Sequence, residues 1–303
     1  MRILITGGAG FIGSHLAEHF QRHATVRVLD DLRTGHQRNL AGLDVEFLRG
    51  SILDREILQA AMQDVDYVYH LAAMVSVAES VREPQTCVDL NVVGTLNVLE
   101  AAAVAGVRKL CFSSSAAVYG DNPVVPKHEA MCPEPRSPYA VTKLDGEFYC
   151  RQFTEAGRIE TVVLRFFNVF GPRQDPAGSY GAVVPIFFQR ALAGKPLTIF
   201  GDGGQTRDFI YVKDIVAALD FVTSTSGLTG VFNAGYGGQI TVLELAQRIL
   251  TLASSRSPIQ FEPVRVGDVR HSRASVERLN KAGFRLANTL DAGLQNMLSA
   301  LRS

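Results

Sequence analysis

The amino-acid sequence predicts an α/β fold in which a doubly wound parallel sheet is followed by a smaller mixed α/β lobe. Over residues 1–165, short β-rich runs alternate with longer stretches of helical spacing, which is typical of a parallel sheet covered on both faces. A glycine-rich loop follows the first run directly, and glycine and proline cluster in several loops after residue 165. Right-handed crossovers between the parallel strands would give a doubly wound sheet. Because such sheets bind ligands at the carboxyl ends of their strands, we expect the functional site there.

The strands of the sheet are expected at the β-rich runs, which are residues 2–6, 25–30, 45–48, 66–71, 109–113 and 160–165. Clear helical spacing lies between them, at residues 11–21, 87–105 and 138–156. Residues 166–303 are expected to form mainly the smaller lobe. Within that range, a helix at 212–222 and a strand at 231–234 are expected to pack with the main sheet, so that about 208–235 would rejoin domain 1–165.

Composition argues against several classes of protein. The 303 residues include 30 Lys and Arg against 30 Asp and Glu, and a net charge of zero disfavours nucleic acid as a partner. The 4 cysteines form no CxxC pair, which predicts no metal site and fits a reducing cytoplasm. The chain reaches Gly7 too soon for a secretory signal, and we expect no apolar run near the roughly 18 residues of a membrane span.

The loop after the first predicted strand has the spacing of a Rossmann-like dinucleotide-binding turn. Gly7, Gly10 and Gly13 lead into a predicted helix that contains Phe11 and Ile12. Glycines at such positions permit a tight turn, close approach to a pyrophosphate and close packing of helix on strand. The helix N-terminus adds free amides and a positive dipole end. A glycine-rich turn without a ligand is the alternative, but the strand–loop–helix context favours a cofactor.

Asp30 ends the second predicted strand, where an acidic residue would bind the adenine ribose 2′-hydroxyl. A carboxylate there repels a 2′-phosphate, so NAD is favoured over NADP, although the nearby Arg33 weakens that preference. The alternative is that Asp30 and Asp31 are only turn residues.

Tyr139 and Lys143 are four residues apart in a predicted helix that opens with Ser137 and Pro138. A tyrosine has a pKa of about 10, and a neighbouring ammonium favours its phenolate, which can then act as a base. Residues 113–115 are serines at the end of a predicted strand, where a hydroxyl could relay a proton. Taken alone, these patterns could equally be a helical face and a polar turn.

Together the motifs resemble those of the extended short-chain dehydrogenase/reductases, in the NAD-dependent epimerase/dehydratase family, and most closely the UDP-hexose 4-epimerases. They are the glycine loop, Asp30, HLAA at 70–73, the serines at 113–115, Tyr139 with Lys143, and RFFN at 165–168. The resemblance covers essentially the whole chain. It implies an NAD-binding Rossmann-like domain at 1–165 and a lobe that binds the nucleotide-sugar at 166–303.

The resemblance also implies a role for individual residues. Tyr139 would be the base, Lys143 its partner, and Ser115 the hydroxyl that bridges to the sugar, with Ser114 as second candidate. Implied NAD-binding residues are Gly7, Gly10, Phe11, Ile12, Gly13, Asp30, Asp31, Ser51, Ile52, Leu71, Ala72, Ala73, Tyr139, Lys143 and Phe166. Implied substrate-binding residues are Ser76, Ser115, Tyr139, Asn168, Val184, Phe200, Arg207, Arg265, Asp268 and Ser272. Ser51 is a departure, because the family often has an Asp after the third strand.

The implied reaction is 4-epimerisation of a UDP-hexose through a 4-keto sugar. A 4,6-dehydratase is disfavoured because Ala116 and Ala117 replace the acid pair that such enzymes use to expel water. Epimerisation or decarboxylation of UDP-glucuronate stays open. A non-enzymatic NAD-binding regulator is disfavoured because it could dispense with Tyr139 and Lys143.

Two further expectations concern the sugar and the assembly. Ser272 stands where a tyrosine restricts related epimerases to UDP-glucose and UDP-galactose, so its small side chain favours UDP-GlcNAc and UDP-GalNAc. A surface serine in a loop is the alternative. The resemblance also implies a homodimer formed by the helices at 87–105 and 138–156, although their apolar faces could equally be core.

Overall fold

The computed structural model describes residues 1–176, 182–264 and 269–302. The strands in chain order are β1 (Arg2–Thr6), β2 (Thr25–Asp30), β3 (Glu46–Arg49), β4 (Tyr67–His70), β5 (Lys109–Ser115), β6 (Glu160–Phe166), β7 (Asn168–Phe170), β8 (Leu197–Phe200), β9 (Thr206–Arg207), β10 (Phe209–Tyr211), β11 (Gly230–Ala234), β12 (Ile240–Thr241) and β13 (Ile259–Glu262). The α-helices are α1 (Phe11–Phe20), α2 (Arg55–Ala61), α3 (Val77–Arg82), α4 (Pro84–Val88), α5 (Gly94–Val104), α6 (Pro138–Glu155), α7 (Val183–Leu192), α8 (Val212–Ser224), α9 (Val242–Ala253), α10 (Glu277–Lys281) and α11 (Leu290–Arg302). Short 3-10 helices lie at Gln37–Leu40 and Ala116–Tyr119.

A seven-stranded parallel sheet forms the centre of the molecule, in the order β11-β6-β5-β4-β1-β2-β3. The strand order reverses between β1 and β4, whose carboxyl ends meet at the pair Thr6 and His70. Doubly wound sheets bind ligands in the crevice at such a reversal. The predicted fold class is therefore confirmed, and the predicted strands of this sheet differ from the observed ones by at most two residues at each end.

Helices cover both faces of the sheet, because successive side chains of a strand point to opposite faces. Ile3 and Ile5 of β1 pack in one buried cluster with residues of α1 and α8. Leu4, between them, packs in a second cluster with residues of α2, α5 and α6. β11 pairs with β6 at the edge of the sheet, and α8 lies against α1. A helix and a strand from beyond residue 166 thus pack with the main sheet.

The smaller lobe has a core of its own. It combines α7, α9 and α11 with short strand pairs, of which β8–β13 is parallel and β9–β12 is antiparallel. Phe187, Leu245 and Leu294 are among its fully buried side chains. β7 follows β6 in the chain, and β10 immediately precedes α8. Because β7 and β10 pair in parallel, they join this lobe to the main sheet.

The predicted helix at 87–105 is interrupted by a π-helical turn at Asp89–Val93, between α4 and α5. Taken together, Pro84–Val104 has a mean hydropathy of 1.4 and is long and apolar enough to cross a membrane, by length and composition only. The expectation that no apolar run reaches that length is therefore wrong. A core helix of a globular protein passes the same test, and this run packs against α6.

Candidate active site

The glycine loop forms a cradle that side chains would fill. Gly7 has φ +73°, and a Cβ there would lie 2.6 Å from the backbone nitrogen of Ala72. A Cβ on Gly13 would lie 2.4 Å from the Gly7 carbonyl oxygen. In the described part of the chain, no side chain caps the N-terminus of α1 at Gly10, so the first amides of the helix stay available to an anion. This cradle fits the pyrophosphate of a dinucleotide.

Asp30 is buried at the carboxyl end of β2, where it also orders the glycine loop. Its Oδ2 accepts the amide of Ala9 at 2.9 Å, and its Oδ1 accepts the amide of Leu32 at 2.8 Å. Burial raises the pKa of Asp30, although these two amides oppose the shift. Arg33 forms an ion pair with Glu79 of α3 at 2.9 Å. Because this pair occupies one side of the guanidinium, it opposes a role for Arg33 in binding a 2′-phosphate.

Replacing Asp30 with Ala is expected to weaken NAD binding about tenfold or more and to narrow the preference for NAD over NADP. The substitution removes the acceptor for the Ala9 amide of the glycine loop and for the Leu32 amide after β2, and it removes the charge that repels a 2′-phosphate. The measurement is the Kd of each cofactor for the apo protein, with the exposed Asp44 changed to Ala as the control. Equal affinity of the unmodified protein for NAD and NADP would contradict the assignment.

The remaining cofactor candidates lie around the same end of the sheet. Leu71, Ala72 and Ala73 follow β4 and are half-buried, and the Leu71 amide donates to the Thr6 carbonyl at 3.1 Å. Asp31 is exposed next to Asp30. The other half-buried candidates are Phe11, Ile12, Ser51 and Phe166.

Ile52 differs from these candidates, because its side chain is 4% exposed and lies in the buried cluster, close to Gly94 at the start of α5. Ile52 stays a prediction as a cofactor-binding residue, and a contact through its backbone is favoured over one through its side chain.

Tyr139 and Lys143 occupy the first two turns of α6, which begins at the predicted cap, because the Ser137 side chain accepts the Ala140 amide. Lys143 is 3% exposed, and its Nζ lies 6.0 Å from the centroid of the Tyr139 ring. The same Nζ donates to the Ser113 carbonyl at 2.8 Å. Burial lowers the pKa of Lys143 to about 8, so the side chain still carries its proton at pH 7.

The structure separates the two serine candidates at the end of β5. Ser115 is half-buried, and its Oγ accepts the Ala117 amide at 3.1 Å. Ser114 is 2% exposed and donates its hydroxyl to the Glu147 carboxylate. Ser114 is thus buried with its hydroxyl already bonded, whereas Ser115 is partly accessible; Ser114 stays a prediction as the second catalytic candidate. Its side chain faces away from that of Ser115 because successive residues of a strand point to opposite faces.

The Glu147 carboxylate belongs to a buried ion pair that the sequence analysis missed. Glu147 lies one turn after Lys143 on α6 and accepts two hydrogen bonds from Arg165 of β6, at 2.9 and 2.6 Å. Both side chains are 4% exposed. Burial alone would lower the pKa of Arg165, but the Glu147 carboxylate raises it above its usual range. The available signal was an acidic residue four positions after Lys143, on the same helix face.

A second missed group is the buried chain of hydrogen bonds beside the strand reversal. His70 lies between the hydroxyls of Thr6 at 2.7 Å and Thr95 at 3.0 Å. Burial lowers the pKa of His70 to about 3, so the ring is neutral. Asn91, in the π-helical turn, accepts the Met74 amide at 2.8 Å and so fixes the loop that follows β4. The Asn91 side chain also donates to Thr142 Oγ1 of α6 at 3.0 Å.

In the smaller lobe, Ser272 lies beside the strand that carries Arg207. The Ser272 amide donates to the Thr206 carbonyl at 3.1 Å, and both Ser272 and Arg207 are half-buried. Asn168 donates its side-chain amide to the Asp208 carbonyl at 3.1 Å, which places it close to the same strand. Phe200 is half-buried at the end of β8. The smaller lobe therefore brings Asn168, Arg207 and Ser272 into one region.

Asp208 anchors this region. Its carboxylate is fully buried and accepts the amides of Tyr236 at 2.7 Å, Gly237 at 3.0 Å and Ala274 at 2.9 Å. Burial raises the pKa of Asp208 to about 6, although these three amides oppose the shift. The segment that contains Ser272 is thus fixed to the loop after β11.

Two of the remaining substrate-binding candidates have buried side chains. The side chain of Val184 is 1% exposed in the core of the smaller lobe. Val184 stays a prediction as a substrate-binding residue, with its backbone amide in the first turn of α7 as the favoured contact. Ser76 is 1% exposed and caps α3 by accepting the Glu79 amide at 3.2 Å. Arg265 and Asp268 lie outside the described residues.

Comparisons with known proteins cover the same regions. A sequence profile described as the NAD dependent epimerase/dehydratase family matches residues 3–235. The chain is 37% identical to a UDP-glucose 4-epimerase of Mycolicibacterium smegmatis, over 100% of this chain and 99% of that protein.

Solved structures of other proteins are similar to this chain in sequence and in fold. A UDP-N-acetylglucosamine 4-epimerase of Methanobrevibacter ruminantium, in complex with UDP-N-acetylmuramic acid, is 36% identical with a TM-score of 0.96, over 99% of this chain and 98% of that one. A UDP-glucose 4-epimerase of Thermus thermophilus, in complex with NAD, is 37% identical with a TM-score of 0.92, over 100% of this chain and 99% of that one. Both similarities extend through the two lobes.

Proposed function

Because the chain belongs to the NAD-dependent epimerase/dehydratase family, we propose that it is a 4-epimerase of UDP-hexoses. The observation that carries the proposal is the buried Lys143 ammonium beside the Tyr139 ring, at the carboxyl edge of the sheet that also bears the glycine cradle. Relatives named as UDP-sugar 4-epimerases, which match over the whole length of the chain, support it.

In the proposed reaction, Tyr139 takes the proton of the sugar 4-hydroxyl on its phenol oxygen, directly or through Ser115 Oγ. The Lys143 ammonium favours the phenolate form of Tyr139, and its hydrogen bond to the Ser113 carbonyl fixes it between β5 and α6. NAD, when bound, supplies the acceptor for the hydride of the sugar C4 and returns it. The same tyrosine then donates the proton back to the 4-oxygen.

Inversion requires that the nucleotide stay bound while the oxidised sugar turns. We assign this anchoring to the smaller lobe, in which the Arg207 guanidinium can donate forked hydrogen bonds to a diphosphate. Asn168 and the backbone of the Ser272 segment lie next to the same strand. Arg265 and Asp268 stay predictions as further contacts.

The residues that follow β5 favour epimerisation over dehydration. Elimination of water across C5 and C6 needs an additional acid and base. Ala116 and Ala117 form the 3-10 turn directly after Ser115 and cannot move protons. Incubation with UDP-hexoses and analysis of the products by NMR tests the proposal, with inversion at C4 alone as the expected result. A 4-keto-6-deoxy sugar, or a pentose formed from UDP-glucuronate, would overturn it.

We further propose that the physiological pair is UDP-GlcNAc and UDP-GalNAc. The support is the small side chain of Ser272, in a segment whose backbone bonds to the strand of Arg207. A hydroxymethyl group leaves room for a 2-acetamido substituent that a phenol would fill.

Replacing Ser272 with Tyr is expected to lower kcat/KM for the acetamido sugars at least a hundredfold and to spare UDP-glucose and UDP-galactose. A filled pocket excludes the larger ligand first, which gives this order of effects. The measurement is kcat/KM for both sugar pairs, and Ser272→Ala, which keeps the space open, is the matched control. If Ser272→Tyr leaves the ratio of the two kcat/KM values unchanged, Ser272 does not border the sugar.

We also propose that the protein forms a homodimer through one face of α4, α5 and α6. Val141 and Phe148, seven residues apart on α6, are 44% and 43% exposed, and Val88 and Val93 add 39% and 42% nearby. Exposed apolar side chains grouped on one helical face are typical of an interface. Sedimentation equilibrium should give the mass of two chains, and a monomer at micromolar concentration would contradict the proposal.

A further inference from the structure

A cluster of metal-ligating side chains lies at the end of α1 that is remote from the glycine loop. His19 is in the last turn of α1, His23 is in the turn that follows, and Asp220 projects from α8. One ligand atom of each residue lies within 4.8 Å of those of the other two. The closest pair is His19 Nε2 and Asp220 Oδ2, which are 2.8 Å apart and share a hydrogen bond.

The geometry of the two rings suits a shared ion. His19 and His23 are four residues apart, and their ring centroids are 5.3 Å apart at an interplanar angle of 87°. His23 is exposed, and the side chains of His19 and Asp220 are 36% and 35% exposed. The ligand atoms lie within 4.8 Å of one another, and the exposed His23 ring would need only a small movement to reach the roughly 2.0–2.2 Å that Zn²⁺ requires from imidazole and carboxylate ligands. Water can complete a tetrahedral site from the open side.

The surroundings favour a cation at this position. The carbonyl end of a helix carries a partial negative charge, and both histidines lie at the C-terminal end of α1. His15, one turn earlier, does not join the cluster, because its Nε2 is bonded to the Pro172 carbonyl at 2.9 Å and its ring is buried. Two nitrogen ligands and one carboxylate oxygen form a common donor set for zinc.

We propose that His19, His23 and Asp220 bind one divalent transition-metal ion, for which Zn²⁺ is the probe. The ion replaces the proton that His19 and Asp220 share, and it links α1 to α8. These two helices cover the same face of the sheet but are separated in the sequence by most of the chain. The link lies roughly 15 Å along α1 from the phosphate cradle, given 1.5 Å per helical residue. The ion is therefore expected to act on stability rather than on the reaction.

The test uses untagged full-length protein that has been treated with a chelator and then titrated with Zn²⁺ by calorimetry. We expect one ion per chain at this site, and a rise in Tm of roughly 5 °C at a hundredfold excess of free Zn²⁺ over Kd. His23→Gln, His19→Gln and Asp220→Asn should each weaken binding at least tenfold. Since His23 is exposed and follows the end of α1, its variant should fold normally.

The control is His128→Gln, which removes an exposed histidine outside the cluster and should leave Zn²⁺ affinity unchanged. Substitution by Co²⁺ gives a second readout, because three protein ligands and one water produce the intense visible absorption of tetrahedral cobalt. Loss of that absorption in His23→Gln would support the proposal. Unchanged Zn²⁺ affinity in His23→Gln, or equal weakening in His128→Gln, would overturn it.

Discussion

Tyr139→Phe is expected to lower kcat by about 10²–10⁴-fold and to leave UDP-sugar affinity nearly unchanged. The substitution keeps the ring beside the Lys143 ammonium and removes only the oxygen that accepts the proton of the sugar 4-hydroxyl. Ser115→Ala should have a milder effect, because water can partly replace a hydroxyl in a proton relay. Steady-state kinetics gives kcat, and calorimetry with the UDP-sugar gives the affinity.

Tyr149→Phe is the matched control, because Tyr149 lies on the same helix but packs against the buried cluster formed with residues of α2 and α5. It should leave kcat within about twofold. A Tyr139→Phe enzyme that turns over at nearly the rate of the unmodified protein would show that the proton leaves by another route.

Glu147→Gln is expected to lower the free energy of unfolding by about 3–5 kcal/mol. The Arg165 guanidinium is 4% exposed, and without the carboxylate its charge would be buried without a counter-ion. The substitution also replaces the carboxylate that accepts the Ser114 hydroxyl with an amide, which is a weaker hydrogen-bond acceptor. Urea unfolding measures the loss as a lower midpoint at constant m.

Two variants show whether the charge is responsible. Glu100→Gln breaks an exposed ion pair with Arg158 and should cost far less, because water solvates both partners. The double variant Glu147→Met with Arg165→Met should recover much of the loss, since it removes both charges and keeps the volume. If Glu147→Gln were no more destabilising than Glu100→Gln, the buried pair would not contribute as the geometry indicates.

The sequence predicted most reliably what depends on neighbouring residues. The glycine loop and the Ser137 cap are local patterns, and each is found where it was expected, between a strand and a helix or at the start of α6. Tyr139 and Lys143 share one helix face for the same reason. These features could be placed because they need only a few consecutive residues and one element type.

Features that depend on several elements were not predictable. Glu147, Arg165 and Ser114 belong to α6, β6 and β5, and no local pattern in the sequence brings them together. The apolar spacing at 87–105 fits a continuous helix. The structure instead has a π-helical turn, in which the Asn91 side chain forms hydrogen bonds with Met74 and Thr142. Likewise, the burial of Val184 and Ile52 follows from packing, which residue type alone does not fix.

The place of β11 in the sheet has a consequence for synthesis of the chain. β6 ends at Phe166, yet the strand that pairs with its outer edge runs from Gly230 to Ala234. On the ribosome, the row of amides and carbonyls along that edge stays unpaired while residues 167–229 are made, which takes several seconds at roughly 5–20 residues per second. During that interval the nascent sheet presents an open edge to other chains. The nascent sheet therefore most needs protection from aggregation while the smaller lobe is being translated.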